Sequence, residues 1–151
     1  MQKTLYIDMD NVLVDFPSGI ARLAPDVAQE YAGRLDEVPG VFADLDPMPG
    51  AIGAFHKLAA LYDTYILSTA PWNNPSAWSD KLAWVKRHLG APAYKRLILT
   101  HHKNLNVGDF LVDDRTRNGA GEFRGKHVQF GSAEFPDWDV VMAYLTHAAT
   151  L

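Results

Sequence analysis

Two pairs of aspartates follow short apolar runs, and their types and spacing could support phosphate chemistry. Asp8 and Asp10 end the N-terminal run, and Asp113 and Asp114 follow another near the C-terminal third. Clustered carboxylates repel unless a cation compensates, and they suit a nucleophile, a general acid–base and ligands for Mg²⁺. We therefore expect a magnesium site. Turn-capping aspartates remain the alternative for the first pair, and a turn with Arg115 for Asp114.

Groups that could hold a phosphoryl oxygen occur at two further places. Ser68 and Thr69 follow the apolar run 64–67, where a hydroxyl and nearby amides can bind phosphate. A helix N-cap has the same residue types, so these residues alone do not distinguish a phosphate site from an N-cap. Lys103 precedes the run that leads to Asp113, which would let its ammonium neutralise a nucleophile and a phosphate. The alternative for Lys103 is a solvated surface lysine.

Alternating short and long segments must position these groups. Apolar, β-branched and aromatic runs predict five strands, at Thr4–Met9, Thr64–Leu67, Arg96–Thr100, Asp109–Val112 and His127–Phe130. Helical periodicity predicts three helices, at Gly50–Leu61, Ala77–Leu89 and Pro136–Leu151. The alternation predicts an α/β fold, a doubly wound and mainly parallel five-stranded Rossmann-like sheet. In such a sheet the carboxyl ends of the strands share one edge, where ligands bind.

Residues 17–49 interrupt this alternation and contain no clear strand. We predict a mostly helical insertion that forms a small cap over the strand ends. The length of 151 residues suits one core, so residues 1–151 are expected to form a single domain with this insertion.

Composition excludes several classes of protein. There is no cysteine, which rules out disulfides, thiolate zinc sites and cysteine nucleophiles. A net charge of -4 argues against a broad basic face for a nucleic acid polymer. No apolar run approaches the roughly 18 residues of a membrane span, and the N-terminus becomes charged early. We expect a soluble cytoplasmic protein without a membrane partner, and a homodimer stays open.

The motifs, in this order, resemble those of haloacid dehalogenase phosphatases, and more narrowly the 5'(3')-deoxyribonucleotidase family. The matching stretches are Asp8–Phe16, Leu45–Ala51, Asp80–Val85, Thr100–Lys103 and Asp109–Arg115. The resemblance implies a haloacid dehalogenase-like core and a magnesium-dependent phosphomonoesterase. Its substrate would be a small phosphate ester, a nucleoside monophosphate, cleaved through an aspartyl-phosphate intermediate.

The resemblance also implies roles for the site residues. Asp8 would be the nucleophile, and Asp10 would protonate the leaving alkoxide and later activate water. Thr69, or less favourably Ser68, would hold a phosphoryl oxygen, and Lys103 would neutralise Asp8 and the phosphate. The implied metal ligands are Asp8, Asp10 through its backbone carbonyl, Asp113 and Asp114.

On the substrate side the resemblance points to aromatic residues that stack on a base. Phe16, Phe42 and Trp72 could do this, although the two phenylalanines could instead pack the cap on the core. Lys81 matches a family lysine that could reach the phosphate or the cap, with a solvated helix lysine as the alternative. Ala70 stands at a substrate-binding position where serine is common.

Two departures concern substrate preference. Asn11 stands where the family usually has glycine, and His101 and His102 replace an Arg-Asp pair, so deoxyribose or pyrimidine preference does not follow. We expect both histidines to be exposed. A sugar phosphate phosphatase of the same superfamily remains an alternative, as does a non-catalytic nucleotide-binding protein; a substrate panel with magnesium separates the three.

Overall fold

The computed structural model describes all 151 residues, with seven strands and five α-helices. The strands are β1 (Thr4–Ile7), β2 (Val14–Asp15), β3 (Asp46–Pro47), β4 (Asp63–Ser68), β5 (Leu97–Leu99), β6 (Phe110–Asp113) and β7 (Lys126–Gln129). The helices are α1 (Phe16–Ala21), α2 (Pro25–Glu30), α3 (Ala51–Leu61), α4 (Pro75–His88) and α5 (Trp138–Ala148).

Five of the strands form one parallel sheet in the order β5-β4-β1-β6-β7. The predicted α/β fold and its five sheet strands are confirmed, with strand ends shifted by at most two residues. In the register, Ile7 lies beside Ile66 on β4 and Val112 on β6. The strands that follow β1 in sequence are added first on one side of it, as β4 and β5, and then on the other side, as β6 and β7, so the strand order reverses at β1. Their carboxyl ends therefore meet at the point where α/β sheets bind ligands.

The two faces of the sheet are covered differently. Helices α3, α4 and α5 pack on one face, around side chains such as Leu5 and Ile7, and they confirm the three predicted helices. Tyr6 points to the opposite face, where a smaller cluster is closed by 3-10 turns at 103–105 and 120–122. The connections from β5 to β6 and from β6 to β7 are too short for a full helix layer.

Residues 16–45, here called the insertion segment, contain α1, α2 and a 3-10 turn at 35–37. The expectation of no strand in 17–49 is wrong, because β3 pairs antiparallel with β2. A two-residue strand is too short to give a sequence pattern and exists through this pairing. The segment thus begins and ends at neighbouring strands.

Two buried tryptophan side chains hold the base of the insertion segment. The indole N–H of Trp84 on α4 donates to Leu45 O at 2.9 Å, and that of Trp138 on α5 donates to Val12 O at 2.7 Å. Helix α4 therefore holds the last residue of the segment, and α5 holds the chain just ahead of β2. No helix of the protein combines the length and the apolar character needed to cross a membrane.

Candidate active site

The carboxyl end of β1 presents two aspartates to the sheet edge. Asp8 N donates to Val112 O at 2.9 Å, which keeps Asp8 in the ladder with β6. The chain then turns sharply at Asn11, whose φ of 62° is left-handed. Asparagine tolerates this conformation better than most residues, which explains how it can replace glycine here. Asp8 and Asp10 both line the cavity above the edge.

Three carboxylates converge at this edge. One oxygen each from Asp8, Asp113 and Asp114 lies within 4.8 Å of the others. Lys103, only 4% exposed, places its Nζ 2.9 Å from Asp8 Oδ1 and 2.6 Å from Asp113 Oδ2. The alternative of a solvated Lys103 is therefore wrong. Since an ammonium has three N–H groups, one remains beyond these two bonds.

The protonation of the cluster reflects burial and crowding. Burial raises the pKa of Asp8, although Lys103 opposes that shift. Burial, followed by the charges of Asp8 and Asp113, raises the pKa of Asp114 to about 7. Burial alone would lower the pKa of Lys103, but Asp8 and Asp113 outweigh it and the pKa is raised. Lys103 therefore stays a cation at neutral pH, while Asp114 lies close to half protonation.

The donor set fits a hard divalent cation. Four carboxylates, Asp8, Asp10, Asp113 and Asp114, face the two buried ammoniums of Lys81 and Lys103. The carboxylates outnumber these two ammoniums, and oxygen donors of this kind suit Mg²⁺. The Asp10 carboxylate bonds to Lys81 and is not part of the three-carboxylate group.

The alternative that Lys81 is a solvated helix lysine is wrong. It is 1% exposed, and its Nζ lies 3.0 and 3.1 Å from the two Asp10 carboxylate oxygens and 2.9 Å from Ser68 Oγ. It does not line the cavity, so the sequence-based expectation that it contacts substrate has no support in its position. Its contacts are with Asp10, with Ser68 and with the ring of Phe42 in the insertion segment.

The segment after β4 supplies Thr69, Pro71 and Trp72 to the cavity. Thr69 lines it, but the Thr69 hydroxyl donates to Thr100 O at 2.7 Å. A phosphoryl oxygen would have to take that hydrogen bond from the carbonyl, because a hydroxyl has one proton. The side chains of Ser68 and Ala70 are fully buried and do not line the cavity. The prediction that they contact substrate is therefore not supported by their positions.

An aromatic wall faces the carboxylates across a cavity of about 650 Å³. Phe16 and Phe42 from the insertion segment pack with ring centroids 5.3 Å apart, and both line the cavity. Phe42 also belongs to the hydrophobic core. Trp72 lines the cavity with 77% of its surface exposed, although tryptophan is highly buried on average. Trp72 and the partly buried Phe16 therefore have ring surface left for a planar ligand, whereas Phe42 is 2% exposed and packs the insertion segment on the core.

Several cavity residues were missed by the sequence reasoning. His101 is partly buried between Trp72 and Trp78, with ring centroids 6.0 and 6.1 Å away, so the expectation of exposure is wrong for it. His102 is exposed as expected. The remaining unpredicted lining residues are Asn11, Gly33, Leu35, Asp36, Pro71, Arg115, Arg117 and Asn118.

Backbone contacts explain why the missed loop residues matter. Lys103 N donates to Asn118 O at 2.7 Å, so the loop after β6 holds the lysine in place. Gly119 follows with φ +82°, and a side chain there would meet Asn104 N at 2.9 Å and Lys103 N at 3.0 Å. The pair Asn118-Gly119 predicts a turn from sequence, but the contact of that turn with Lys103 forms only in the folded chain.

Comparison with known proteins places this geometry in context. The family model described as "5' nucleotidase, deoxy (Pyrimidine), cytosolic type C protein" matches residues 28–136. A protein of Vibrio phage KVP40 with the provisional name 5'(3')-deoxyribonucleotidase is 62% identical over 142 residues, covering 94% of this chain and 84% of its own. The human 5'(3')-deoxyribonucleotidase of cytosolic type is 30% identical over 171 residues, covering 93% and 79%.

A solved structure supports the fold independently. A Bacillus subtilis protein described as a HAD-hydrolase bound to magnesium superposes with a TM-score of 0.63, covering 99% of both chains. At 13% sequence identity this likeness concerns the fold. The parallel sheet and its helices thus belong to a known α/β architecture.

Proposed function

The chain belongs to the family of cytosolic type C deoxy (pyrimidine) 5' nucleotidases, and we propose that it releases phosphate from nucleoside monophosphates. It is a phosphomonoesterase that uses Asp8 as its nucleophile. The observation that carries the proposal is the Lys103 ammonium, which bonds to Asp8 and Asp113 and keeps one N–H for a ligand.

The first half-reaction forms an aspartyl-phosphate. A carboxylate oxygen of Asp8 attacks phosphorus, and the bond from phosphorus to the ester oxygen breaks. The leaving alkoxide takes a proton from Asp10, whose carboxyl group lines the same cavity. Lys103 offsets the charge of Asp8 and of the phosphoryl oxygens, which lowers the barrier by electrostatic stabilisation.

The second half-reaction hydrolyses the aspartyl-phosphate and regenerates the free enzyme. Asp10, now a carboxylate, takes a proton from water, and the water oxygen attacks phosphorus. The bond from phosphorus to Asp8 breaks and inorganic phosphate leaves. Burial raises the pKa of Asp10 even though Lys81 opposes the shift, and a raised pKa suits a group that must carry the proton between the two steps.

Asp8, Asp113, Asp114 and the Asp10 carbonyl would hold the magnesium ion. Bound there, the ion would offset charge on phosphoryl oxygens as a Lewis acid. Burial, and after it the charges of Asp8 and Asp113, raise the pKa of Asp114, and a cation would relieve the repulsion from those charges, which supports this assignment.

The organic part of the substrate faces the aromatic wall. Phe16 and Trp72 offer stacking surfaces, Phe42 packs against Phe16, and one ring stacked on a base contributes about 1–3 kcal/mol. A sugar phosphate without a base would leave the Trp72 ring exposed. The insertion segment acts as the cap in this proposal, because it supplies two of the three rings.

The test is phosphate release from nucleoside 5'- and 3'-monophosphates and from sugar phosphates, with magnesium and with EDTA. Asp8→Asn keeps the shape and removes the nucleophile, and Asp26→Asn on the exposed side of α2 is the matched control. We expect magnesium-dependent turnover of nucleotides that Asp8→Asn abolishes and Asp26→Asn retains. Turnover confined to sugar phosphates would reject the nucleotide substrate, and no turnover at all would reject the enzyme.

A cytoplasmic site of action is part of the proposal and is supported by the cytosolic type of the human relative. The homodimer stays a prediction, which light scattering of the purified chain would test.

A further inference from the structure

Lys81 is a buried cation that the proposed reaction has not used. It lies on α4 between the core residues Ala77 and Trp84, one turn away on either side, and it is 1% exposed. The Phe42 ring covers its ammonium at 4.8 Å to the ring centroid. A fully buried lysine is rare without partners, so its contacts must compensate for the lost hydration.

All of its hydrogen-bonding capacity is used within the protein. The ammonium has three N–H groups, and its three acceptors are Asp10 Oδ1, Asp10 Oδ2 and Ser68 Oγ at 3.0, 3.1 and 2.9 Å. Lys103 differs, since it has two acceptors and lines the cavity. Lys81 therefore has no donor left for a phosphoryl oxygen, and any effect on the reaction must pass through Asp10.

Lys81 holds the Asp10 carboxylate from the buried side, away from the cavity. The Asp10 side chain is 31% exposed and lines the cavity, while Lys81 lies behind it. Contact with both carboxylate oxygens fixes the rotation of the carboxyl group as well as its position. A free aspartate would sample several rotamers on that face.

We propose that Lys81 is a positioning residue that fixes the Asp10 carboxyl group for proton transfer to the leaving oxygen, an inference that rests on the proposed function. Ser68 completes the arrangement by fixing the lysine. Proton transfer needs heavy atoms within about 2.6–3.2 Å, and a displacement of about 1 Å can lower a rate by about 10²-fold. Holding Asp10 in one orientation thus contributes directly to the rate.

The leaving group separates positioning from a merely structural role. An alkoxide leaving from a nucleotide needs the proton of Asp10, whereas p-nitrophenolate leaves from p-nitrophenyl phosphate without one. The values of kcat/KM for both esters would be measured for wild type and Lys81→Met with magnesium. We expect the variant to lose about 10²-fold in kcat/KM on the nucleotide. Its kcat/KM for p-nitrophenyl phosphate should stay within error, because kcat/KM reports only the first half-reaction, in which p-nitrophenolate needs no proton.

Two further variants protect the test against misfolding. Ser68→Ala keeps the charge and loosens the lysine, and we expect a smaller loss that is again confined to the nucleotide. Because the chain has no cysteine, Lys81→Cys can be alkylated with 2-bromoethylamine while unfolded and then refolded. This restores an ammonium at nearly the original distance, and we expect nucleotide activity to return. Lys86→Met, exposed on the same helix, is the control.

The outcomes separate the positioning role of Lys81 from the proposed phosphatase activity. Equal losses on both esters, no loss on either, or a folded alkylated variant that stays inactive on the nucleotide would overturn the role of Lys81. A wild-type protein that hydrolyses neither ester would overturn the proposed function, and the positioning role with it.

Discussion

Removing the Lys103 ammonium is predicted to destabilise the protein far more than an ordinary lysine substitution. Lys103→Met keeps most of the side-chain volume but leaves Asp8, Asp113 and Asp114 without their buried cation. Lys103 is 4% exposed and lies 2.9 and 2.6 Å from its two partners. Breaking a buried pair by removing one partner typically costs about 3–5 kcal/mol. For a domain of this size that lowers Tm by about 6–20 °C, at about 2–4 °C per kcal/mol.

Magnesium should restore part of this loss. A ligand at about 100 times its Kd stabilises a folded protein by about 2.7 kcal/mol. The variant site carries one more uncompensated negative charge than the wild-type site, so it should bind the cation more tightly. At equal magnesium concentration, the rise in Tm is therefore expected to be larger in Lys103→Met than in wild type. Nucleotide turnover should stay low, because the cation beside the phosphate is missing.

The assay is thermal unfolding followed by circular dichroism, in EDTA and in magnesium chloride. Lys57→Met, exposed on α3, is the matched control and should behave as wild type in both conditions. The reasoning fails if Lys103→Met melts with the control in EDTA. It also fails if magnesium raises the Tm of the variant no more than that of wild type.

Three further predictions concern the metal, a loop and the substrate. Since Asp114 has a pKa of about 7 without metal, magnesium must displace a proton below that pH, and titration calorimetry should show weaker binding at about pH 6 than at about pH 8. Gly119→Ala should lower both Tm and turnover by displacing Lys103, whereas Gly40→Ala, at a similar φ in open space, should change Tm alone. Trp72→Ala should raise KM for nucleotides about 5- to 150-fold, as loss of one stacking ring implies, and leave KM for a sugar phosphate unchanged.

The pH dependence of stability follows from the same carboxyl group. The raised pKa means that the folded chain holds the Asp114 proton more tightly than the unfolded chain, where the ordinary value is 3.8. This group therefore stabilises the metal-free protein below about pH 4, and that contribution is lost as the pH rises towards 7. Bound magnesium should reverse the trend, since it favours the ionised form.

The strands and the convergence of the carboxylates could be predicted because both depend on local patterns. An apolar run that ends in Asp8 or Asp113 indicates a buried strand and its exposed end. Parallel packing then brings such ends together. The long helices were predictable for the same reason, because their apolar spacing extends over three turns.

What the sequence could not show depends on contacts between distant residues. No local sequence pattern predicts that Lys81 is buried, because its burial depends on its ion pair with Asp10, 71 positions away. The pairing of β2 with β3 involves two residues on each side and leaves no periodic signal. The position of His101 depends on the ring of Trp72, and the buried Asn74 donates to the backbone of Asp36 and Val38 across the insertion segment.

The pairing of β2 with β3 makes the insertion segment an exchangeable cassette. Its entry and exit lie on adjacent strands, about 5 Å apart, so a replacement of another length can close on the same two stems. Doubling the length of a flexible loop adds only about 0.6 kcal/mol of closure entropy. The part of the wall that this segment supplies can therefore be redesigned, or diverge during evolution, while Asp8 at the end of β1 and Lys103 in its 3-10 turn stay in place. Grafting a foreign segment between Asp15 and Asp46 is a route to new specificity with the same phosphate chemistry.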